Sequence, residues 1–281
     1  MKINYTIKED TTLKEYLLSF YLGSKKIYKL ISEKRITKGD IVLKENDKLL
    51  INDVITINYD EARDYKPVNK KIDIIYEDDY LLIINKEPNI IIHSLDEECL
   101  ANYVSFYYKK NSINQKIKFA HRLDTETSGL IIFVKDDLTL AYFSHYLETH
   151  EIKREYQALV KGHINHEGFV DKPIGRNRHD AKKMIVSNSG KNAKTYYKPI
   201  KRIGDNTLIS CILETGRTHQ IRVHLSYIGH PLLGDKLYGE NDNYQRCMLH
   251  SKKVEFYHPV LKKNMTIEAK LPKDFNEIIN K

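Results

Sequence analysis

The sequence predicts an α+β fold in two unequal units, a small one over residues 1–60 and a larger one from residue 72 to residue 281. Two helical patterns followed by two short strand-like runs fill the first stretch. A charged, proline-bearing segment without apolar periodicity, EARDYKPVNKK (61–71), then reads as a linker. Beyond it, apolar runs of strand length are interspersed with amphipathic helical patterns, and neither a dinucleotide-binding glycine fingerprint nor a P-loop occurs.

Thr11 or Thr12 is placed to cap a first helix that carries Leu13, Tyr16, Leu17 and Phe20 on one side, and Gly23 breaks it. Ser24 then caps KKIYKLISEKR, where Ile27, Leu30 and Ile31 fall at helical spacing and Lys25, Lys26 and Lys29 lie largely elsewhere on the surface. Short strands are expected near residues 41–43 and 55–57, with polar turns at 39–40 and 46–47. From Ile72, IDIIYEDDYLLIINKEPNIIIHS reads as two strands joined by an acidic turn, a loop, and a third strand ending at His93. Within it Lys86 reads as a surface lysine, and Asn89 tolerates a left-handed backbone in the turn.

Residues 99–110 and 138–148 read as helices. Between them lies FAHRLDTETSGLIIFVKD, polar and dense in reactive groups up to Ser128, then apolar from Leu130 to Val134, with Gly129 separating the halves. The apolar half is a buried strand, so Asp124 sits on a loop leading into the core. Read alone, Asp124 is equally a turn residue bonding its own backbone. REYQALVKG is a strand with Tyr156 and Ala158 on one face. In ETGRTHQIRVHLSYIG, Thr218 can cap a helix on which Ile221, Leu225 and Ile228 recur, and Gly229 ends it.

The formal net charge is +8, and ten Lys or Arg against the single acid Asp180 between Lys172 and Arg202 exceed that locally. Such a cluster suits a polyanionic partner, with nucleic acid foremost. Twenty tyrosines and no tryptophan offer surfaces for base stacking. Three distant cysteines, Cys99, Cys211 and Cys247, form no CxxC pair, which argues against a disulfide scaffold or zinc ribbon and for free thiols in a reducing compartment. His145 and His150 are not on one helical face and carry no metal-ligand pattern, so no metal is expected. The N-terminus has no apolar signal region and no run reaches bilayer length, so a cytoplasmic protein without membrane association is expected, as a monomer.

HRLD followed by two residues and TSG, residues 121–129, resembles the signature of the RluA-type pseudouridine synthases, the group of RluA, RluC and RluD. REYQALV, the PIGRNRHDAKKMIV stretch, GRTHQIR with its GHPLLGD turn, and CMLHSKK resemble further stretches of that family in the same order, over about residues 72–270. Lys86 and His93 keep the family's spacing, whereas Glu87 and Asn89 replace its Pro and Gly. The first sixty residues resemble the small RNA-binding module named after the fourth protein of the small ribosomal subunit.

The resemblance implies a small RNA-binding module followed by a catalytic domain on a mostly antiparallel, mixed β-sheet with a central cleft. It implies isomerisation of uridine to pseudouridine within RNA, with Asp124 as the essential carboxylate, Arg222 as its cationic partner and Tyr156 against the base. Ile221 and Leu249 would line the uracil pocket, and Arg122 would fill the space vacated in the RNA. Arg176, Lys182 and Lys183, with Lys25, Lys26 and Lys29 in the first module, would contact phosphates, which position RNA without reading it. No cofactor is needed, because the reaction transfers neither electrons nor an external group. A carboxylate enclosed with a base must stay negative, and a nearby cation favours that form; the target base must also leave its stack to be reached. Ribosomal RNA of the large subunit is the favoured substrate and transfer RNA the alternative. A non-catalytic RNA-binding assembly factor would use the basic regions equally well but has no use for Asp124. A glycoside or nucleoside hydrolase would want two paired carboxylates.

Overall fold

The computed structural model describes residues 2–59, 65–239 and 243–280. In the first unit, β1 (Lys2–Thr6), β2 (Thr11–Thr12), α1 (Leu13–Leu18), α2 (Ser24–Ser32), β3 (Ile36–Lys38), β4 (Ile41–Val42), β5 (Lys48–Leu49) and β6 (Val54–Asn58) follow in order. Thr12 caps α1 in a capping box, its hydroxyl accepting from Glu15 N while the Glu15 carboxylate accepts from Thr12 N. Gly23, not Ser24, occupies the cap of α2, without a side-chain bond. The two expected strands are not partners: β6 lies between β1 and β3, and β4 pairs only with β3. β1 escaped the sequence reading because only Ile3 and Tyr5 of its five residues turn inward.

The larger unit contains β7 (Ile74–Glu77), β8 (Leu81–Lys86), α3 (Leu100–Lys110), β9 (Lys118–Phe119), β10 (Ser128–Val134), α4 (Asp137–Glu148), β11 (Lys153–Lys161) and β12 (Gly168–Asp171). It continues with β13 (Ile174–Arg176), β14 (Met184–Val186), β15 (Lys194–Ile203), β16 (Asn206–Leu213), α5 (Gln220–Tyr227), β17 (Leu249–His258), β18 (Lys263–Glu268) and α6 (Lys273–Ile279). Its ten-stranded sheet runs β12-β15-β16-β11-β17-β10-β8-β7, with β18 on β17 and β9 on β10. All these pairs are antiparallel except β10 with β17, so the sheet is mixed and mostly antiparallel. The chain is therefore α+β, as expected.

β10 is buried at every position and starts at Ser128. Gly129 is thus a strand residue rather than a divider. Its φ is 105°, and a Cβ there would lie 2.2 Å from the Ser251 carbonyl oxygen, so close approach to β17 admits no side chain. The third strand expected to end at His93 is absent: the chain turns at Asn89, with φ of 61°, and residues 90–93 are irregular. Asn89 holds the left-handed turn expected of it.

Residues 61–64 of the expected linker lie outside the described residues. Residues 65–71 run beside α3, where Asn102 Nδ2 donates to Lys66 O at 2.9 Å and Ser105 Oγ to Tyr65 O at 2.6 Å. The first unit shares one apolar core with the second. Tyr5 packs at 5.5 Å on Tyr80, Phe20 at 6.3 Å on Tyr142, and Tyr21 stacks at 3.6 Å on His145. The Tyr80 hydroxyl donates to Asn4 O at 2.8 Å. The three cysteines are buried and free, and among the described residues no helix is long and apolar enough to cross a membrane.

Candidate active site

A cleft of about 990 Å³ opens where the loop before β10 faces the start of α5. Arg122, Asp124, Tyr156, Lys182, Ile221, Arg222 and Leu249 all line it. Residues far apart in sequence thus converge, as the sequence reading expected. Arg176 and Lys183 do not line it, and Lys25, Lys26 and Lys29 lie exposed on α2 in the other unit.

Asp124 is half-buried, with Arg222 Nη1 at 3.5 Å from its Oδ2. That contact is not the main bond of Arg222. Its Nε and Nη2 grip the two oxygens of Asp235, each at 2.7 Å, in a bidentate pair with Asp235 fully buried. Leu237 N and Tyr238 N also donate to Asp235, at 3.0 and 3.1 Å, and the Tyr238 ring lies 5.1 Å from the guanidinium. Burial works to raise the Asp235 pKa, but the Arg222 guanidinium and the two N–H groups outweigh it and hold it below the usual carboxylate range. The buried carboxylate that secures Arg222 is therefore Asp235, supplied by the GHPLLGD turn, and Asp124 receives the guanidinium's remaining edge.

His219 sits at the start of α5 in a left-handed conformation, φ 56°, and takes the cap position expected of Thr218. Its Nδ1 is 2.8 Å from the Tyr238 hydroxyl, which also accepts from Met184 N at 2.8 Å. The Tyr238 proton is then available to Nδ1, leaving Nε2 as the N–H that faces Asp124 Oδ1 at 4.0 Å. Burial lowers the His219 pKa against the pull of Asp124, which favours a neutral ring at pH 7. The polar residues Gln220 and His224 of α5 are buried. Gln220 bonds Thr215, Arg217 N, Thr195 and Lys194 O, and His224 bonds Thr195 and Lys172 O. Gly229, with φ 84°, follows the C-cap.

The loop carrying Asp124 is pinned by two buried cations. Lys86 is 1% exposed rather than on the surface. Its ammonium donates to Glu87 O, Ile90 O and Thr125 O at 2.9, 3.0 and 3.0 Å. The chain curls around that ammonium after β8, which is why no third strand forms there. Burial pushes the Lys86 pKa down to about 7, with Arg246 adding to the effect and Asp124 opposing it, whereas three carbonyl acceptors use all three N–H of the charged form. Arg246 Nη1 donates to Glu126 O at 3.0 Å and to Cys247 O at 3.1 Å, while Nε and Nη2 hold Asp274 of α6 at 2.6 and 3.0 Å. The carbonyls of the two residues after Asp124 are each fixed from the protein interior.

Behind the loop, two imidazoles are buried in uncharged form. Burial, aided by Arg154, pushes His121 down to about 3, and burial, aided by Arg246, does the same to His250. On unfolding each ring regains its ordinary value of 6.5. Between these values the unfolded chain binds more protons, so stability falls as pH falls below about 6.5, by up to about 1.4 kcal/mol per pH unit for each ring. The melting temperature is expected to drop steadily from pH 7 to pH 4. A flat profile would show that the rings accept protons in the folded state.

The site residues that the sequence reading missed are His219, Asp235 and Arg246, and it misplaced Lys86. Asp235 and His219 lie inside stretches singled out for their family resemblance, but nothing local distinguishes an Asp that grips Arg222 from one that closes a turn.

A sequence model of RNA pseudouridylate synthase matches residues 80–227. The chain is 36% identical over 247 residues to the "uncharacterized RNA pseudouridine synthase YhcT" of Bacillus subtilis (strain 168), over 85% of this chain and 80% of that protein. It is 34% identical over 270 residues to the ribosomal large subunit pseudouridine synthase D of Buchnera aphidicola subsp. Baizongia pistaciae (strain Bp), over 89% of this chain and 85% of that protein. Among solved structures, the human RNA pseudouridylate synthase domain containing 1 matches with a TM-score of 0.63 at 25% identity, over 74% of this chain and 87% of that one.

Proposed function

Because the chain belongs to the RNA pseudouridylate synthase family, and is accordingly an isomerase that converts uridine to pseudouridine in RNA, we propose that Asp124 is its catalytic carboxylate and that large-subunit ribosomal RNA is its substrate. The observation that carries the first part is the meeting of Asp124 with Arg222, at 3.5 Å, in a cleft also lined by Tyr156, Ile221 and Leu249. A flipped uracil enclosed by those three side chains places its sugar at the carboxylate. Asp124 then acts on the sugar, by adding to the anomeric carbon or by taking the proton beside it, and the base leaves its nitrogen linkage. The uracil turns within the pocket and its ring carbon bonds the sugar, so every atom of the uridine is retained. Arg222 puts a guanidinium 3.5 Å from the Asp124 carboxylate, and burial raises the Tyr156 pKa so that its hydroxyl keeps its proton. Glu126 also lines the cleft, with its Oε2 accepting from Cys247 N at 3.3 Å, but unlike Asp124 it has no cationic partner among the described residues. This disfavours the hydrolase reading.

Arg122, exposed at the cleft's edge, takes the space that the base vacates in the RNA. Lys182 at the cleft, with Arg176 and Lys183 on the neighbouring hairpin, meets the backbone phosphates. The first unit is an RNA-binding module like that of the small-subunit ribosomal protein, presenting Lys25, Lys26 and Lys29 on α2. The enzyme acts in the cytoplasm as a monomer. The ribosomal substrate follows from the similarity to ribosomal large subunit pseudouridine synthases. Mapping pseudouridines in total RNA from cells with and without this gene tests it. Loss of sites in large-subunit RNA is expected, whereas loss confined to transfer RNA would replace the substrate.

A further inference from the structure

Five cationic side chains are buried among the described residues: Lys86, Lys135, Arg154, Arg222 and Arg246. Four have acceptors. Lys86 holds three carbonyls, Lys135 holds Glu77, Arg222 holds Asp235 and Arg246 holds Asp274. Arg154 is the exception. It is 6% exposed, yet among the described residues it forms no ion pair and its Nε has no hydrogen-bond partner. A buried guanidinium without an acceptor is strongly unfavourable, so such a group is retained where a ligand completes it.

The surroundings of Arg154 indicate the ligand. The side chain lines the same cleft as Asp124. It shares the inward face of β11 with Tyr156, two residues further along, which places the two side chains about 6.6 Å apart along the strand. Its Nη1 and Nη2 lie against Gly216, where a Cβ would come within 3.1 and 3.3 Å of them, so the absence of a side chain at that position gives the fork its room. The two titratable groups that feel its charge, His121 and Tyr156, are both held neutral by burial and supply no counter-charge. An everted nucleotide whose base rests on Tyr156 brings its own phosphodiester toward this fork, whose planar geometry matches two phosphate oxygens.

We propose that Arg154 is a binding residue for the phosphate adjoining the flipped uridine, completing a buried cation that the described residues leave without an acceptor. This rests on the reading that the cleft receives an everted uridine at Asp124. The test uses the full chain and an unmodified transcript of large-subunit ribosomal RNA. Arg154→Met, Arg154→Lys and Asp124→Asn are compared with wild type by binding across a salt series, by pseudouridine formation and by thermal melting. With Arg154→Met, the slope of log affinity against log salt is expected to become shallower by about 0.7 to 0.9, one phosphate contact's worth. KM rises about tenfold or more, the effect of losing a charge-assisted bond, and the RNA-free protein melts no lower than wild type because a desolvated charge has been removed. Arg154→Lys keeps the slope and part of the affinity. An unchanged slope with Arg154→Met, or a melting temperature well below wild type, would overturn the proposal and make Arg154 a structural cation. Full activity in Asp124→Asn would instead remove the reading of the site beneath it.

Discussion

Replacing Asp124 with Asn is expected to reduce pseudouridine formation by about 10⁴-fold or more, the scale seen when a nucleophile is removed. Little else should change. Asn has nearly the same shape, and the loop that carries residue 124 is held by Lys86 on Thr125 O and by Arg246 on Glu126 O, not by the carboxylate. Arg222 keeps its two 2.7 Å bonds to Asp235, so the substitution strands no buried charge. RNA affinity should stay level or rise slightly, since removing one negative charge lessens repulsion of a polyanion. Pseudouridine content measured by chemical derivatisation, beside binding of the same transcript, checks both halves. An Asn variant that modifies RNA at the wild-type rate would end the assignment of Asp124. One that fails to bind would show that the carboxylate organises the cleft rather than reacts in it.

The parts of this fold that can be read from the sequence are those whose causes lie within a few residues. The apolar run 130–134 reads as a core strand, and Thr11 or Thr12 marks the start of the first helix, where the structure has Thr12 as the cap. The spacing of Ile221, Leu225 and Ile228 up to Gly229 gives α5 nearly its true length. Convergence of Asp124, Tyr156, Arg222 and Leu249 could be expected only because several motifs resembled one family in order. Charge partners were opaque. Lys86 follows an apolar strand and looks like the point where the chain surfaces, but its acceptors come partly from Thr125, thirty-nine residues away. Asp235 and Asp274 reach their arginines across the fold. A lysine at the surface and a lysine clasped by three carbonyls share the same local pattern, and tertiary structure alone separates them.

The largest effect on stability is expected at the pair Arg222–Asp235. Arg222→Ala leaves Asp235, fully buried, with two backbone N–H groups and no counter-ion. Asp235→Ala leaves Arg222, 6% exposed, with the Asp124 carboxylate at 3.5 Å and the Tyr238 ring as its remaining partners. Breaking either side of a buried pair costs about 3–5 kcal/mol, which lowers the melting temperature by about 2–4 °C per kcal/mol in a protein of this size. Removing both charges together, as Arg222→Met with Asp235→Leu, strands nothing and should recover most of that stability. Activity should not follow it. Asp124 has then lost the cation beside it, and a loss of about 10²–10³-fold is expected, as when one charge-stabilising donor is removed from a reacting centre. Thermal melts and initial rates on the four proteins of the cycle therefore diverge: stability returns in the double variant and catalysis does not. If the double variant recovered both, Arg222 would be a scaffold residue alone, and Asp124 would have to work without its help.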